Sequence, residues 1–125
     1  MRIALRTLVS VVDDDESVRE SLPDLLGELG FVARSFASAE EFLVSDSVRD
    51  TRCLILDIVM PGMSGPELQR ELDLRGQSIP TIFVTGQGDE RVRARLLQQG
   101  AVECLFKPFS DQDLQAALDA ALPKN

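Results

Sequence analysis

The chain has 125 residues, 44% of them apolar and 27% charged, the size and balance of one ordinary globular domain. Its 13 basic residues against 21 acidic ones leave a net charge of −8, which works against attraction to nucleic acid or anionic lipid. No apolar run approaches the roughly 20 residues of a bilayer span, and the absence of histidine excludes His-based catalysis and His-ligated zinc.

Residues 1–6 have a basic start but neither the apolar core nor the cleavage site of a secretory signal, so a single cytoplasmic domain over residues 1–125 is expected, ending at Pro123-Lys124-Asn125. In chain order, residues 8–12 form a short β-branched run that reads as the first strand. Asp15 and Glu16 then suit a helix start, where negative charge favours the dipole, and Val18, Leu22, Leu25, Leu26 and Leu29 share one helical face. Pro23 falls inside that helix and removes a backbone hydrogen bond at a cost of about 3 kcal/mol, so a kink or a late start is expected.

Residues 32–36 read as the second strand, and Ser38 with Glu41 has the spacing of a capping box that opens a helix. Residues 53–56 form a third strand; Ser64 with Glu67 opens the next helix, on which Leu68 and Leu72 align. After a fourth strand at residues 81–84, Asp89 is a plausible N-cap for a helix carrying Val92 and Leu96. Residues 102–106 make the fifth strand, followed by a last helix from Ser110 with Leu114, Leu118 and Ala121 on its face.

Strict β-α alternation with short connections implies a doubly wound α/β domain with a parallel sheet. The first, third and fourth strands are almost continuously apolar, whereas the second contains Arg34 and Ser35 and the fifth contains Glu103. The polar strands belong at the edges, which fits the order 2-1-3-4-5 with its switch point between the first and third strands. Cys53 and Cys104 lie in apolar runs with no CxxC or histidine companion and read as buried free thiols. Arg91, Arg93 and Arg95 do not share a helical face and read as solvated, while Gly86 and Gly88 lack the spacing of a phosphate cradle and read as room for loop movement or a helix start.

Four strands are followed at once by a reactive group: Asp13 and Asp14, then Asp57, Thr85 and Lys107. In an open parallel sheet these positions line one edge, beyond which ligands bind. Three carboxylates about 5 Å apart repel by roughly 3 kcal/mol per pair at an effective dielectric near 20, so a cation is required among them. Mg²⁺ suits the set, since it takes one or two carboxylates and keeps waters that a phosphate can replace. An Asp beside a metal and an ammonium can attack phosphorus and form an acyl phosphate. Asp57, alone on the central strand, is the candidate nucleophile; Asp13 and Asp14 form the metal pair, Lys107 adds positive charge, and Thr85 offers a hydroxyl to a phosphoryl oxygen.

The motifs Val11-Val12-Asp13-Asp14-Asp15, Asp57 followed by Met60-Pro61 and Gly65, Val84-Thr85-Gly86, and Lys107-Pro108-Phe109 together resemble the response-regulator receiver family over nearly the whole chain. Ser17-Val18-Arg19-Glu20-Ser21-Leu22 and Pro61-Gly62-Met63-Ser64-Gly65 are most similar to the receivers of FixJ-type transcriptional regulators. The resemblance implies a flavodoxin-like receiver fold and phosphoryl transfer from a sensor histidine kinase to Asp57, with Mg²⁺ held by Asp14, Asp57 and the Val59 backbone carbonyl and Asp13 acting through water. It implies a cis Lys107-Pro108 bond, movement of Thr85 on activation, and a signal delivered to the surface of the last two helices and the fifth strand. A phosphorylation-dependent homodimer, and DNA contact only through an output domain outside these residues, follow from the same resemblance, with Val59 and Gln87 helping to set the phosphate lifetime. The chemistry expected is self-phosphorylation and autodephosphorylation rather than turnover of a substrate.

The departure is Cys104, where the family usually carries Tyr or Phe that turns inward as Thr85 moves. Cysteine cannot make that swing, so either Phe106 or another group substitutes, or the output runs mainly through the helix after the fourth strand and its preceding loop. Two other readings compete. A receiver-like binding module that works without phosphorylation would follow from Cys104. A haloacid-dehalogenase-type phosphohydrolase would use Asp13-Asp14-Asp15 as its nucleophile motif, but the chain lacks room for a capping domain and a late acidic pair.

Overall fold

Burial sorts the strands as their compositions predict. The computed structural model describes residues 7–122, so the readings made on residues 1–6 and 123–125 lie outside the described residues. Within it, β1 (Leu8–Val12), β3 (Cys53–Asp57) and β4 (Thr81–Thr85) are buried at every position, whereas β2 (Val32–Phe36) and β5 (Glu103–Phe106) are partly exposed. The sheet is parallel with the order β2-β1-β3-β4-β5. Helices α1 (Glu16–Glu28), α2 (Ala39–Leu43), α3 (Ser47–Asp50), α4 (Gly65–Leu74), α5 (Glu90–Gln98) and α6 (Asp111–Ala121) complete the alternation.

Because successive strand residues point to opposite faces, β3 feeds two cores. Leu54 and Leu56 join Phe42, Leu68, Leu72, Phe83 and Leu96 beneath α2, α4 and α5. Cys53 and Ile55 join Leu22, Leu26, Ile82, Leu114 and Leu118 beneath α1 and α6. Both cysteines are buried and unpaired. Burial pushes the Cys53 thiol up to about 12 and raises Cys104 as well, so neither supplies a thiolate near neutral pH.

Local chemistry sets the helix ends. Asp15 caps α1 by accepting from the Ser17 N–H, and Asp89 caps α5 by accepting from the Val92 N–H. Ser64 with Glu67 and Ser110 with Asp113 form complete capping boxes; at Ser38 only the half from the Glu41 N–H forms. The late start expected from Pro23 does not occur, since the Asp15 cap initiates α1 at Glu16 and the helix runs through the proline. Strand β5 starts at Glu103 rather than 102, while β3 and β4 extend one residue to include Asp57 and Thr85.

The short helix α3 has no counterpart among the predicted elements. Two polar contacts tie it to remote strands, Arg34 of β2 donating to Ser47 Oγ at 2.9 Å and Ser10 of β1 bonding the Thr51 hydroxyl at 2.6 Å, while Thr51 at its end donates to the Ser47 carbonyl at 2.6 Å.

Candidate functional site

Strand register brings the reactive residues together. Val12 pairs with Leu56 in β1 and β3, so the next residues, Asp13 and Asp57, flank the switch point. Asp57 pairs with Val84, and Thr85 with Phe106, which sets the hydroxyl and Lys107 along the same edge. One oxygen from each of Asp13, Asp14 and Asp57 lies within 4.8 Å of the others. Asp13 and Asp57 are buried and Asp14 is exposed.

Asp13 is the most firmly held. Its Oδ1 accepts from the Asp15 N–H at 2.9 Å and its Oδ2 from Lys107 Nζ at 3.0 Å. Its backbone is fixed too, the N–H donating to the Phe36 carbonyl at 3.1 Å and the carbonyl accepting from Arg19 at 3.0 Å. Asp57, Val59, Thr85, Gly86, Gln87 and Lys107 line a cavity of about 240 Å³ beside the cluster.

The electrostatics are those of an incompletely neutralised acidic site. Burial, then the charge of Asp13, pushes the Asp57 carboxyl up to about 7, against the pull of Lys107. Burial works against the Lys107 ammonium, but its bond to Asp13 and the charges of Asp13, Asp57 and Asp15 outweigh it and hold Lys107 above the usual lysine range. Three carboxylates against one ammonium fit a hard divalent cation.

A family model of the response regulator receiver domain matches residues 9–119. The chain belongs to the response regulator receiver family. It is 42% identical over 120 residues to nodulation protein W of Bradyrhizobium diazoefficiens, covering 96% of this chain and 53% of that protein. Against the transcriptional regulatory protein FixJ of Azorhizobium caulinodans it is 40% identical over 117 residues, covering 94% of this chain and 56% of that protein. The crystal structure of FixJ-N superimposes with a TM-score of 0.82 at 38% identity, covering 94% of each chain. The receiver thus spans about half the length of the curated relatives it matches. With the family shown, the phosphohydrolase reading is set aside.

This receiver has the cis Lys107-Pro108 bond that the resemblance implies. It also shows what occupies the space near Cys104. The Cys104 side chain is buried in the core beneath α5, and Phe106, two residues on and on the same face, packs against that core at its margin. The Phe106 ring lies against Gly88: a Cβ on that glycine would stand 2.6 Å from ring carbon Cδ1 and 2.6 Å from Thr85 Cγ2. Gly88 is therefore a close-approach position, not merely room for a helix start as the sequence spacing suggested. Thr85 Oγ1 accepts from the Gln87 N–H at 3.2 Å, so hydroxyl, loop and aromatic ring form one packed unit.

Arg93 needs a similar correction. Arg91 and Arg95 are exposed, but Arg93 reaches from α5 to β5 and donates from Nε and Nη2 to Glu103 Oε1 at 3.0 and 2.8 Å. The same oxygen accepts from the Cys104 N–H at 2.9 Å. Its partner lies on another element, so no spacing within the helix reveals the contact. Arg19, with its bond to the Asp13 carbonyl, has no role assigned from sequence; its signals are its place in the Ser17–Leu22 stretch and one helical turn after the acidic run.

Proposed function

We propose that this receiver takes a phosphoryl group on Asp57 from the phosphohistidine of a sensor histidine kinase. The observation that carries the reading is the convergence of Asp13, Asp14 and Asp57 within 4.8 Å, with Lys107 3.0 Å from Asp13. An Asp57 carboxylate oxygen attacks phosphorus, the P–N bond breaks, and its electron pair leaves with the donor imidazole. Asp14, Asp57 and the Val59 carbonyl would hold Mg²⁺, which supplies positive charge against the transferred oxygens. Both Asp13 oxygens already accept hydrogen bonds, which supports its acting through water. Lys107 neutralises charge at the acceptor, and Thr85 turns its hydroxyl from the Gln87 N–H toward the phosphoryl oxygens.

The same reading places this chain as a cytoplasmic receiver domain over residues 1–125 of a transcriptional regulator. Among the described residues no helix is long and apolar enough to cross a membrane. The relatives named a transcriptional regulatory protein and a nodulation protein are about twice as long as the matched region. With a net charge of −8 here, DNA contact falls to an output segment outside these residues. Phosphorylation alters the surface of α5, β5 and α6 and promotes a homodimer.

Intact-mass spectrometry after incubation with acetyl phosphate tests the chemistry. A phosphoryl-sized gain that requires both Mg²⁺ and Asp57, and is absent from Asp57→Ala, is the expected result. No gain under any condition would leave a binding module that works without phosphorylation.

A further inference from the structure

Immediately after Asp57 the chain enters the loop of residues 58–64, which joins β3 to α4 and carries Val59. Two of its ties are local: the Gly65 N–H donates to the Ile58 carbonyl at 2.9 Å, and the Ser64 N–H to Glu67 Oε1 at 2.9 Å. A third comes from elsewhere. The Met63 N–H donates at 2.9 Å to Oε2 of Glu40, 23 residues earlier on α2.

Gly62 lies under the same carboxylate. Its φ of +77° is in the left-handed region, and a Cβ there would stand 2.7 Å from Glu40 Oε2. The carboxylate thus covers the one loop position without a side chain. Glu40 is exposed, but the helix that carries it is anchored, because its neighbours Ala39 and Phe42 are buried and the Phe42 ring packs edge-on to Phe36 at 5.3 Å. The strap therefore runs from the sheet's β2 edge through α2 to the acceptor loop.

We propose that Glu40 is a positioning residue for the acceptor site: by holding the Met63 N–H it fixes the loop that presents Val59 to a cation at Asp14 and Asp57. The proposal rests on the Mg²⁺-dependent reading above. Glu40 does not touch the ion; it sets the loop in its binding conformation before the ion arrives, so the ion does not meet the cost of ordering it. The acceptor oxygen is what matters, which separates this role from simple attraction of a cation by one more negative charge.

Titration of ¹⁵N-labelled protein with Mg²⁺, followed by amide shifts and hydrogen exchange at Met63, tests the idea on four chains: wild type, Glu40→Ala, Glu40→Gln and Asp14→Ala. Glu40→Ala is expected to weaken Mg²⁺ binding about fivefold and to speed Met63 exchange by a similar factor. Glu40→Gln, which keeps an acceptor but not the charge, is expected to bind within about twofold of wild type. Equal affinity and unchanged exchange in Glu40→Ala, with Asp14→Ala abolishing binding, would overturn the strap alone. Loss of affinity in Glu40→Gln equal to that in Glu40→Ala would make Glu40 a charge and overturn the positioning role. Indifference of Mg²⁺ binding to Asp14→Ala would overturn the acceptor-site reading and the strap with it.

Discussion

Lys107 and Asp13 are 94 residues apart in the chain, yet Nζ of one lies 3.0 Å from Oδ2 of the other at the carboxyl edge of the sheet. Asp13 has no exposure to water, so the pair is a structural commitment as well as part of the acidic cluster. Lys107, whose side chain keeps 24% exposure, is the counter-charge for the fully buried Asp13.

Removing the ammonium therefore leaves a buried carboxylate without its counter-charge. Lys107→Met is expected to cost about 2–3 kcal/mol of stability in urea unfolding. The double variant Lys107→Met with Asp13→Asn is expected to recover part of that loss. Equal stability of Lys107→Met and wild type would show that the pair contributes nothing net.

Asp57 predicts a pH dependence with a definite sign. In the metal-free fold its pKa is about 7 against an ordinary 3.8, so between those values the folded state binds a proton that the unfolded chain releases. Stability from this group accordingly falls as pH rises through that window, and the full penalty is present above about pH 7. With EDTA at pH 8, Asp57→Asn is expected to melt about 5 °C above wild type. The gap closes toward pH 4 and narrows when Mg²⁺ is added; a gap independent of pH would contradict the assignment.

Gly88 and Phe106 are expected to be coupled. Gly88→Ala drives a methyl group against the ring and the Thr85 methyl, costing about 1–2 kcal/mol. Replacing Phe106 by Leu in the same chain makes room, so the two substitutions together are expected to cost less than their sum in a double-mutant cycle. Strict additivity would mean that the loop, rather than the ring, absorbs the methyl group.

The Arg93 and Glu103 pair joins α5 to β5 with partial exposure of both side chains. Arg93→Ala is expected to lower stability by at most about 1 kcal/mol, and by less in high salt, because water and ions screen the pair. Thermal melts at low and high ionic strength check this, and Mg²⁺-dependent phosphorylation of Asp57 is expected to persist in the variant.

The alternation of elements, the sheet order and the positions of Asp13, Asp14, Asp57, Thr85 and Lys107 were determined by the sequence alone. Each depends on local information: runs buried on both faces are continuously apolar, edge strands tolerate Arg34 and Glu103, and a parallel sheet places whatever ends its strands along one edge. Caps such as Ser64 and Asp89 are equally local, since donor and acceptor lie within one turn. The rest was decided only by tertiary structure. The helix α3 rests on Arg34 and Ser10, the loop after β3 on Glu40, Gly88 on the Phe106 ring and Arg93 on Glu103. None of these partners has a fixed spacing from the group it holds, because each contact exists only where the folded sheet brings separate elements side by side.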